Sequence, residues 1–218
     1  KPGEISLAHL GVLYLDEFPE FQKSTIEVLR QPLEERNVTI SRLNATFRYP
    51  ASCMVVAAMN PCSCGYYPDR NKCNCSIPMV KRYLGKISKP MLDRFDICIE
   101  AMNIDFKELQ TKNKEESSAK IRERINKAHQ IQAERYKDYN IRYNSQLTPK
   151  TIKKFCKLEA KEQALLEKAF IKMNLSARAY HRILKVARTI ADLDNSEKIT
   201  VKHLSEAICY RSLDDKYW

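Results

Sequence analysis

Two adjacent carboxylates close a short apolar run, Gly11-Val-Leu-Tyr-Leu-Asp16-Glu17. An acid at the C-terminal tip of a strand can hold Mg²⁺ while its neighbour orients an attacking water, and that positional work is most of what phosphoryl transfer asks of a protein. A strand that merely surfaces at an acidic turn carries the same residues. A second apolar run, Met54-Val-Val-Ala-Ala-Met59, ends at Asn60 just before Pro61. A neutral amide on a neighbouring strand tip can reach that water or a terminal phosphate; Asn-Pro is also a common turn. In Pro90-Met-Leu-Asp93-Arg94-Phe95-Asp96 an arginine precedes a third apolar run. Exposed, Arg94 has the chemistry of a finger inserted into a neighbouring subunit's nucleotide; otherwise it closes a local charge cluster with Asp93 and Asp96. Arg178, in Leu175-Ser-Ala-Arg178-Ala-Tyr-His-Arg182, opens a helix. A cation there opposes the helix dipole and calls for an anion, either a phosphate or a structural carboxylate.

Four cysteines fall in the pattern Cys62-x-Cys64-x₈-Cys73-x-Cys75. Four thiolates can close a tetrahedral zinc site, although C-x-C is tighter than the usual gap between paired ligands. Gly65 and Pro68-Asp69 offer the turn chemistry needed to fold the second pair back onto the first. An uncoordinated polar loop and a redox-active pair are the other readings. Cys53, Cys98, Cys156 and Cys209 sit in apolar-patterned segments and read as small core residues.

The elements that must carry these groups change character along the chain. Gly11–Asp16 and Met54–Met59 read as strands buried on both faces, and Asp96–Glu100 as a third strand. Ser24 to Glu35 reads as a helix capped by Ser24, with Ile26, Leu29 and Leu33 on one face. Val38–Arg42 and Thr46–Tyr49 form a hairpin about Leu43-Asn44-Ala45. The Pro/Cys-rich stretch 61–78 is a loop. Strand, helix, strand and loop in this order suggest part of an α/β sheet. After about Asp105 only helices follow. The first runs from Glu115 to Tyr136, with Ile121, Ile125, Ala128 and Ile131 at helical spacing. Thr148-Pro149 starts another, and three more lie around 161–173, 177–194 and 201–211, the last two capped by Ser176 and Thr200.

The stretches KPGEISLAHLGVLYLDEFPEF at 1–21, VVAAMNPCSCGY at 55–66, ISKPMLDRFDI at 87–97 and LSARAYHRILKVARTIADL at 175–193 together resemble the AAA+ family, in its magnesium-chelatase-like branch, the bacterial ComM/YifB group. The resemblance covers nearly the whole chain and its motifs are specific. It implies a partial P-loop α/β core with parallel strands and a β-hairpin insertion, followed by an all-α lid. Residues 1–105 would be the C-terminal half of that core, 106–146 a helical linker and 147–218 the lid. It further implies that Asp16 and Glu17 are the Walker B pair, with Asp16 toward the metal. Asn60 would be sensor 1, Arg94 the arginine finger and Arg178 the nucleotide-contacting sensor 2 arginine, while the hairpin would point at DNA in a ring's pore. The implied cofactors are ATP and Mg²⁺, and the implied partners are DNA and further copies of the chain in a hexameric ring.

The four glycines, Gly3, Gly11, Gly65 and Gly85, include no GxxxxGK[ST] phosphate loop, so these residues by themselves are expected to hydrolyse no ATP. The net charge of +11 is uneven, +1 over residues 1–105 and +10 over 106–218. A basic helical half suits an anionic partner such as nucleic acid, or is simply a solvated lysine-rich surface. No apolar run approaches a membrane span, and the N-terminus has no signal pattern. With eight cysteines in a core-rich chain, a reducing cytoplasmic setting is expected. The abrupt start ahead of a strong strand reads as a cut boundary. Three functions fit: an ATP-driven ring motor for DNA branch migration or helicase work in recombination and natural transformation; a metal-chelatase motor subunit; and a zinc-stabilised nucleic-acid-binding fragment without catalysis.

Overall fold

A computed structural model of the chain describes residues 2–43, 45–101 and 116–211. The chain divides between Phe95 and Asp96 into two units. The first is mixed α/β and the second is helical.

The first unit opens with a single-turn helix, α1 (Glu4–Leu7), and strand β1 (Val12–Leu15). A 3₁₀ turn at Phe18–Glu20 leads into α2 (Lys23–Val28) and α3 (Arg30–Glu35). The expected single helix is broken at Leu29, because Pro32 has no N–H to return to the Val28 carbonyl and its ring crowds that turn. Gln22, not Ser24, occupies the position before the first helical residue. Ile26, Leu29 and Leu33 nonetheless meet on one core with Phe18, Ile87, Met91 and Leu92.

β2 (Asn37–Arg42) and β3 (Ala45–Pro50) form the expected hairpin, with Arg42 opposite Ala45. Ala45 therefore belongs to the second strand; Asn44, placed in the turn by sequence, lies outside the described residues. Strand β4 (Met54–Ala57) pairs with β1 in parallel, Val12 opposite Met54 and Leu15 opposite Ala57. These two strands are not buried on both faces: Val12 and Tyr14 are 57% and 59% exposed, and Met54 is 61% exposed. Only the face carrying Leu15 and Ala57 packs on the core. A two-stranded sheet covered on one side shows period-two burial even where its sequence is uniformly apolar. The expected third strand is not formed among the described residues: 96–100 is not assigned as strand, and its Cys98 N–H donates to the Tyr210 carbonyl at a helix end (2.9 Å). Helix α4 (Ile77–Leu84) follows the cysteine loop, Ser76 capping it with a 3.4 Å bond from the Met79 N–H, and α5 (Lys89–Leu92) precedes Arg94.

In the second unit α6 (Ser118–Arg135) is capped by Ser117. The expected start at Glu115, and the boundary near Asp105, fall outside the described residues. α7 (Pro149–Phe155), α8 (Ala160–Lys172), α9 (Ala177–Leu193) and α10 (Val201–Cys209) follow close to their expected spans. Thr148 and Thr151 exchange a capping box, and Ser176 accepts the Ala179 N–H at 3.1 Å. Ile183, Leu184, Ala187 and Ile190 of α9 bury against Leu166 of α8, Leu204 and Ala207 of α10, and Tyr136 and Ile152. Cys156 joins this core as expected, whereas Cys209 is exposed, and Cys53 and Cys98 are only half-buried.

A charged knot closes the helical unit. Asp192 is fully buried and receives Arg135 through both Nη atoms, Arg188 Nε at 3.1 Å and Asn144 Nδ2 at 2.8 Å. Arg188 also donates to the Ser196 and Glu197 carbonyls, tying the α9 C-terminus to the following turn. Two guanidiniums around one carboxylate are stable only while every partner is present. Asp192→Ala is expected to destabilise this unit by about 3 kcal/mol, because two buried cations lose their shared anion. Urea denaturation followed by helical circular dichroism measures it; an unchanged midpoint would show that the knot contributes nothing.

Candidate functional site

The parallel register decides which side chains share an end of the sheet. The Leu15 carbonyl accepts the Ala58 N–H (2.9 Å), and the Ala58 carbonyl accepts the Phe18 N–H (3.0 Å). Asp16 and Glu17 thus leave the tip of β1 at the level where the neighbouring chain runs from Ala58 to Asn60. All three candidate side chains are exposed. Glu17 has φ 47° and ψ 43°, a left-handed conformation that a non-glycine residue adopts only where its surroundings impose it. The imposition is visible. Asp16 accepts the Glu17 N–H at 2.9 Å, and the next residue, Phe18, is buried with its ring edge-on to Phe95 at 5.8 Å. Phe18 anchors the turn inward and leaves the two carboxylates outside.

Asn60 is backed by residues that the motif reading did not single out. Gly65, at φ +83°, lies beside Asn60, where an added Cβ would make ordinary van der Waals contact, 4.0 Å, with the Asn60 amide carbon. Tyr83 of α4 is buried, and the Asn60 main chain acts on its hydroxyl. Burial, and then the negative charges of Glu20, Cys62 and Glu17, push the Tyr83 hydroxyl above the usual phenol range. Tyr83 is therefore within electrostatic reach of the strand-tip acid as well as of Asn60. The signal for it was the spacing of Val80, Tyr83 and Leu84, one buried face of a helix opened by Ser76 and Pro78.

The cysteine pattern converges. The sulfurs of Cys62, Cys64, Cys73 and Cys75 all lie within 4.8 Å of one another. Cys62 to Cys64 is 3.3 Å, Cys62 to Cys73 is 3.8 Å and Cys64 to Cys73 is 3.6 Å, and all four thiols are free. The Tyr66 main chain and Cys62 draw the Cys64 thiol down to about 6, whereas burial pushes Cys73 up to about 11.

Arg94 is not the exposed side chain that a free finger requires. It is 7% exposed, its Nη2 lies 2.7 Å from Glu34 and its Nη1 donates to the Pro90 carbonyl, while Nε has no partner among the described residues. Of the alternative cluster with Asp93 and Asp96, Asp96 pairs with Arg182. Ser88, just ahead of α5, donates to Glu27 at 2.6 Å and so fixes the turn that carries Arg94. That bond, then Arg30, lowers the Glu27 carboxyl below the usual carboxylate range. Arg178 is exposed on the first turn of α9, in the other unit from Asp16, Glu17 and Asn60.

Residues 1–109 match the family described as magnesium chelatase, subunit ChlI, and residues 115–211 match the C-terminal region of the same subunit. The chain is 48% identical over 214 residues to competence protein ComM of Haemophilus influenzae, covering 98% of this chain and 41% of that protein. It is 44% identical over 215 residues to protein YifB of Escherichia coli, again covering 98% and 41%. A shorter stretch of 95 residues, 44% of this chain and 10% of its counterpart, is 28% identical to the DNA replication licensing factor mcm2 of Schizosaccharomyces pombe. The chain thus spans about two fifths of the length of the bacterial relatives it matches.

The Arg94–Glu34 pair yields a direct test of how the arginine is held. Glu34→Ala is expected to lower stability by about 2 kcal/mol, since it strands a buried guanidinium. Arg94→Met in the same background is expected to recover most of that loss. A double-mutant cycle by denaturant titration reads both, and additivity of the two changes would mean that the pair is not coupled.

Proposed function

This chain belongs to the magnesium-chelatase ChlI family, in its ComM/YifB-like group, and from that membership we propose that it is the rear part of an ATP-hydrolysing ring motor that remodels DNA. The observation that carries the reading is the parallel register that brings Asp16, Glu17 and Asn60 to one end of the β1–β4 pair. Two adjacent, exposed carboxylates form a hard, oxygen-only donor set suited to Mg²⁺. In this reading Asp16 holds the metal. Bound there with ATP, Mg²⁺ would neutralise charge on the phosphates. Glu17 orients a water and accepts its proton, and the Asn60 amide donates to the water or to the terminal phosphate. Arg178 supplies a cation to the nucleotide. Arg94 serves a neighbouring subunit, exchanging Glu34 for phosphate when the ring assembles.

DNA is the substrate class favoured by the relatives, since one is named a competence protein and a more distant one a DNA replication licensing factor. The β2–β3 hairpin supports the same reading. Its tip residue Leu43 is wholly exposed, Arg42 and Arg48 line its strands, and Ile40 and Phe47 face solvent. Such a projection offers cations for phosphates and apolar surface for bases. Branch migration or helicase work during natural transformation is the proposed setting. The family's own description favours a second reading, a motor subunit of a metal chelatase.

The test is ATP hydrolysis by the full-length protein with and without branched DNA. Stimulation by DNA is expected, and Glu17→Gln is expected to keep ATP affinity within about 3-fold while lowering kcat at least about 100-fold, as for loss of a group acting on the attacking water. DNA-insensitive turnover would remove the DNA reading, and normal turnover by Glu17→Gln would remove Glu17 from the chemistry. Arg94→Ala is expected to abolish hydrolysis in homogeneous rings, and mixing it with the inactive Glu17→Gln is expected to restore hydrolysis in Arg94→Ala subunits that receive a Glu17→Gln neighbour's arginine. No hydrolysis by such mixed rings would place Arg94 in its own subunit's site.

A further inference from the structure

We propose that Cys62, Cys64, Cys73 and Cys75 bind one Zn²⁺, and that this ion fixes the position of Asn60. A tetrahedral ion with zinc–sulfur bonds of about 2.3 Å requires sulfurs about 3.8 Å apart. Three of the separations are 3.3, 3.6 and 3.8 Å, and the whole set lies within 4.8 Å. These distances far exceed the roughly 2.05 Å of a disulfide, so the four thiols have converged without pairing covalently. The donor set is all soft sulfur, which selects zinc or iron over magnesium or calcium.

The backbone closes the two C-x-C arms on each other. Gly65 N–H turns back to the Cys62 carbonyl at 3.1 Å, using a positive φ that glycine alone adopts freely. The second arm returns through Asp69, whose side chain accepts the Asn71 N–H at 3.0 Å and whose carbonyl accepts the Cys73 N–H at 2.8 Å. Around the sulfurs, Ser63 Oγ lies 3.4 Å from Cys75 Sγ and Arg70 donates to the Cys75 carbonyl at 2.9 Å. A hydroxyl and a guanidinium suit a centre that carries two net negative charges when four thiolates surround a divalent ion.

The loop needs such a tie. From Ala58 to Ser76 it forms no helix or strand, and the cluster it buries consists of Cys62, Cys73 and Cys75 against Val80, Tyr83 and Leu84, with Met59, Cys64 and Tyr67 at its edge. Thiols contribute little cohesion by themselves, whereas a structural zinc contributes folding free energy directly. Cys62 is fully buried two residues beyond Asn60, Gly65 beside Asn60 turns back to the Cys62 carbonyl, and Tyr83 packs in the same cluster. The metal therefore positions Asn60 without touching whatever Asn60 binds.

The test uses the purified 218-residue chain and needs no nucleotide, so it succeeds or fails independently of the ATPase reading. Elemental analysis is expected to find about one zinc per chain, and Co²⁺ replacement is expected to give the intense visible bands of tetrahedral thiolate coordination. Cys73→Ser is expected to lower the zinc content at least about 10-fold, and Cys209→Ser to leave it unchanged. On chelation, amide exchange across Ala58–Gly65 is expected to rise at least about 10-fold while the Ala177–Leu193 helix is unaffected. A metal-free chain with four titratable thiols in this loop, bound iron in place of zinc, or full zinc retention by Cys73→Ser would overturn the site. Zinc loss without faster exchange around Asn60 would overturn its positioning role.

Discussion

The parallel pairing of Val12–Leu15 with Met54–Ala57 is the constraint on which the candidate site depends. Parallel strands bring equivalent ends together, so the residues after each strand emerge side by side whatever lies between them in sequence. Between these two strands stand two short helices and a hairpin, yet Asp16 and Asn60 leave the sheet at the same end. Phe18 and the Phe18 N–H bond to Ala58 convert that proximity into fixed geometry, at the cost of a left-handed Glu17. Strain at an exposed acid next to a second acid is consistent with a position retained for chemistry.

Buried charge performs a different task in each unit. In the helical unit Asp192 gathers Arg135 and Arg188 and locks the end of α9 to its neighbours. In the α/β unit Arg94 is held against Glu34 at the end of a short helix. The first arrangement is saturated, every Asp192 oxygen being engaged, and it reads as structural. The second leaves Arg94 Nε unpartnered among the described residues and has one half-exposed member, Glu34. That asymmetry makes an exchange of partners physically reasonable for Arg94 and unreasonable for the Asp192 knot.

Much of this was legible in sequence because local rules governed it. Ser176 and the Thr148-Pro149 pair marked helix starts through bonds their own side chains make, and the hairpin followed from two β-prone runs flanking Leu43-Asn44. The convergence of the cysteines was legible because Gly65 and Asp69 supply turns at the right places. What failed depended on neighbours that a linear reading does not contain. The run Asp96–Glu100 has strand composition yet is not assigned as strand among the described residues, and the one-sided burial of Val12–Leu15 reflects what covers the sheet, not the apolar run itself. The partner of Arg94 was not legible because Glu34 lies sixty positions away in sequence, on the helix that follows the break at Leu29. Tyr83 was not legible for the same reason: its packing against the cysteine cluster is not revealed by spacing within its own helix.

The central claim is that the tips of these two strands form one nucleotide- and metal-facing edge. A structure of the full-length protein with Mg²⁺ and a non-hydrolysable ATP analogue measures this most directly. The account predicts the metal within direct or single-water reach of the Asp16 carboxylate, with direct oxygen contacts near about 2.1 Å, and the terminal phosphate facing Glu17 and Asn60. A nucleotide bound elsewhere, with Asp16 and Glu17 left facing solvent, would contradict it.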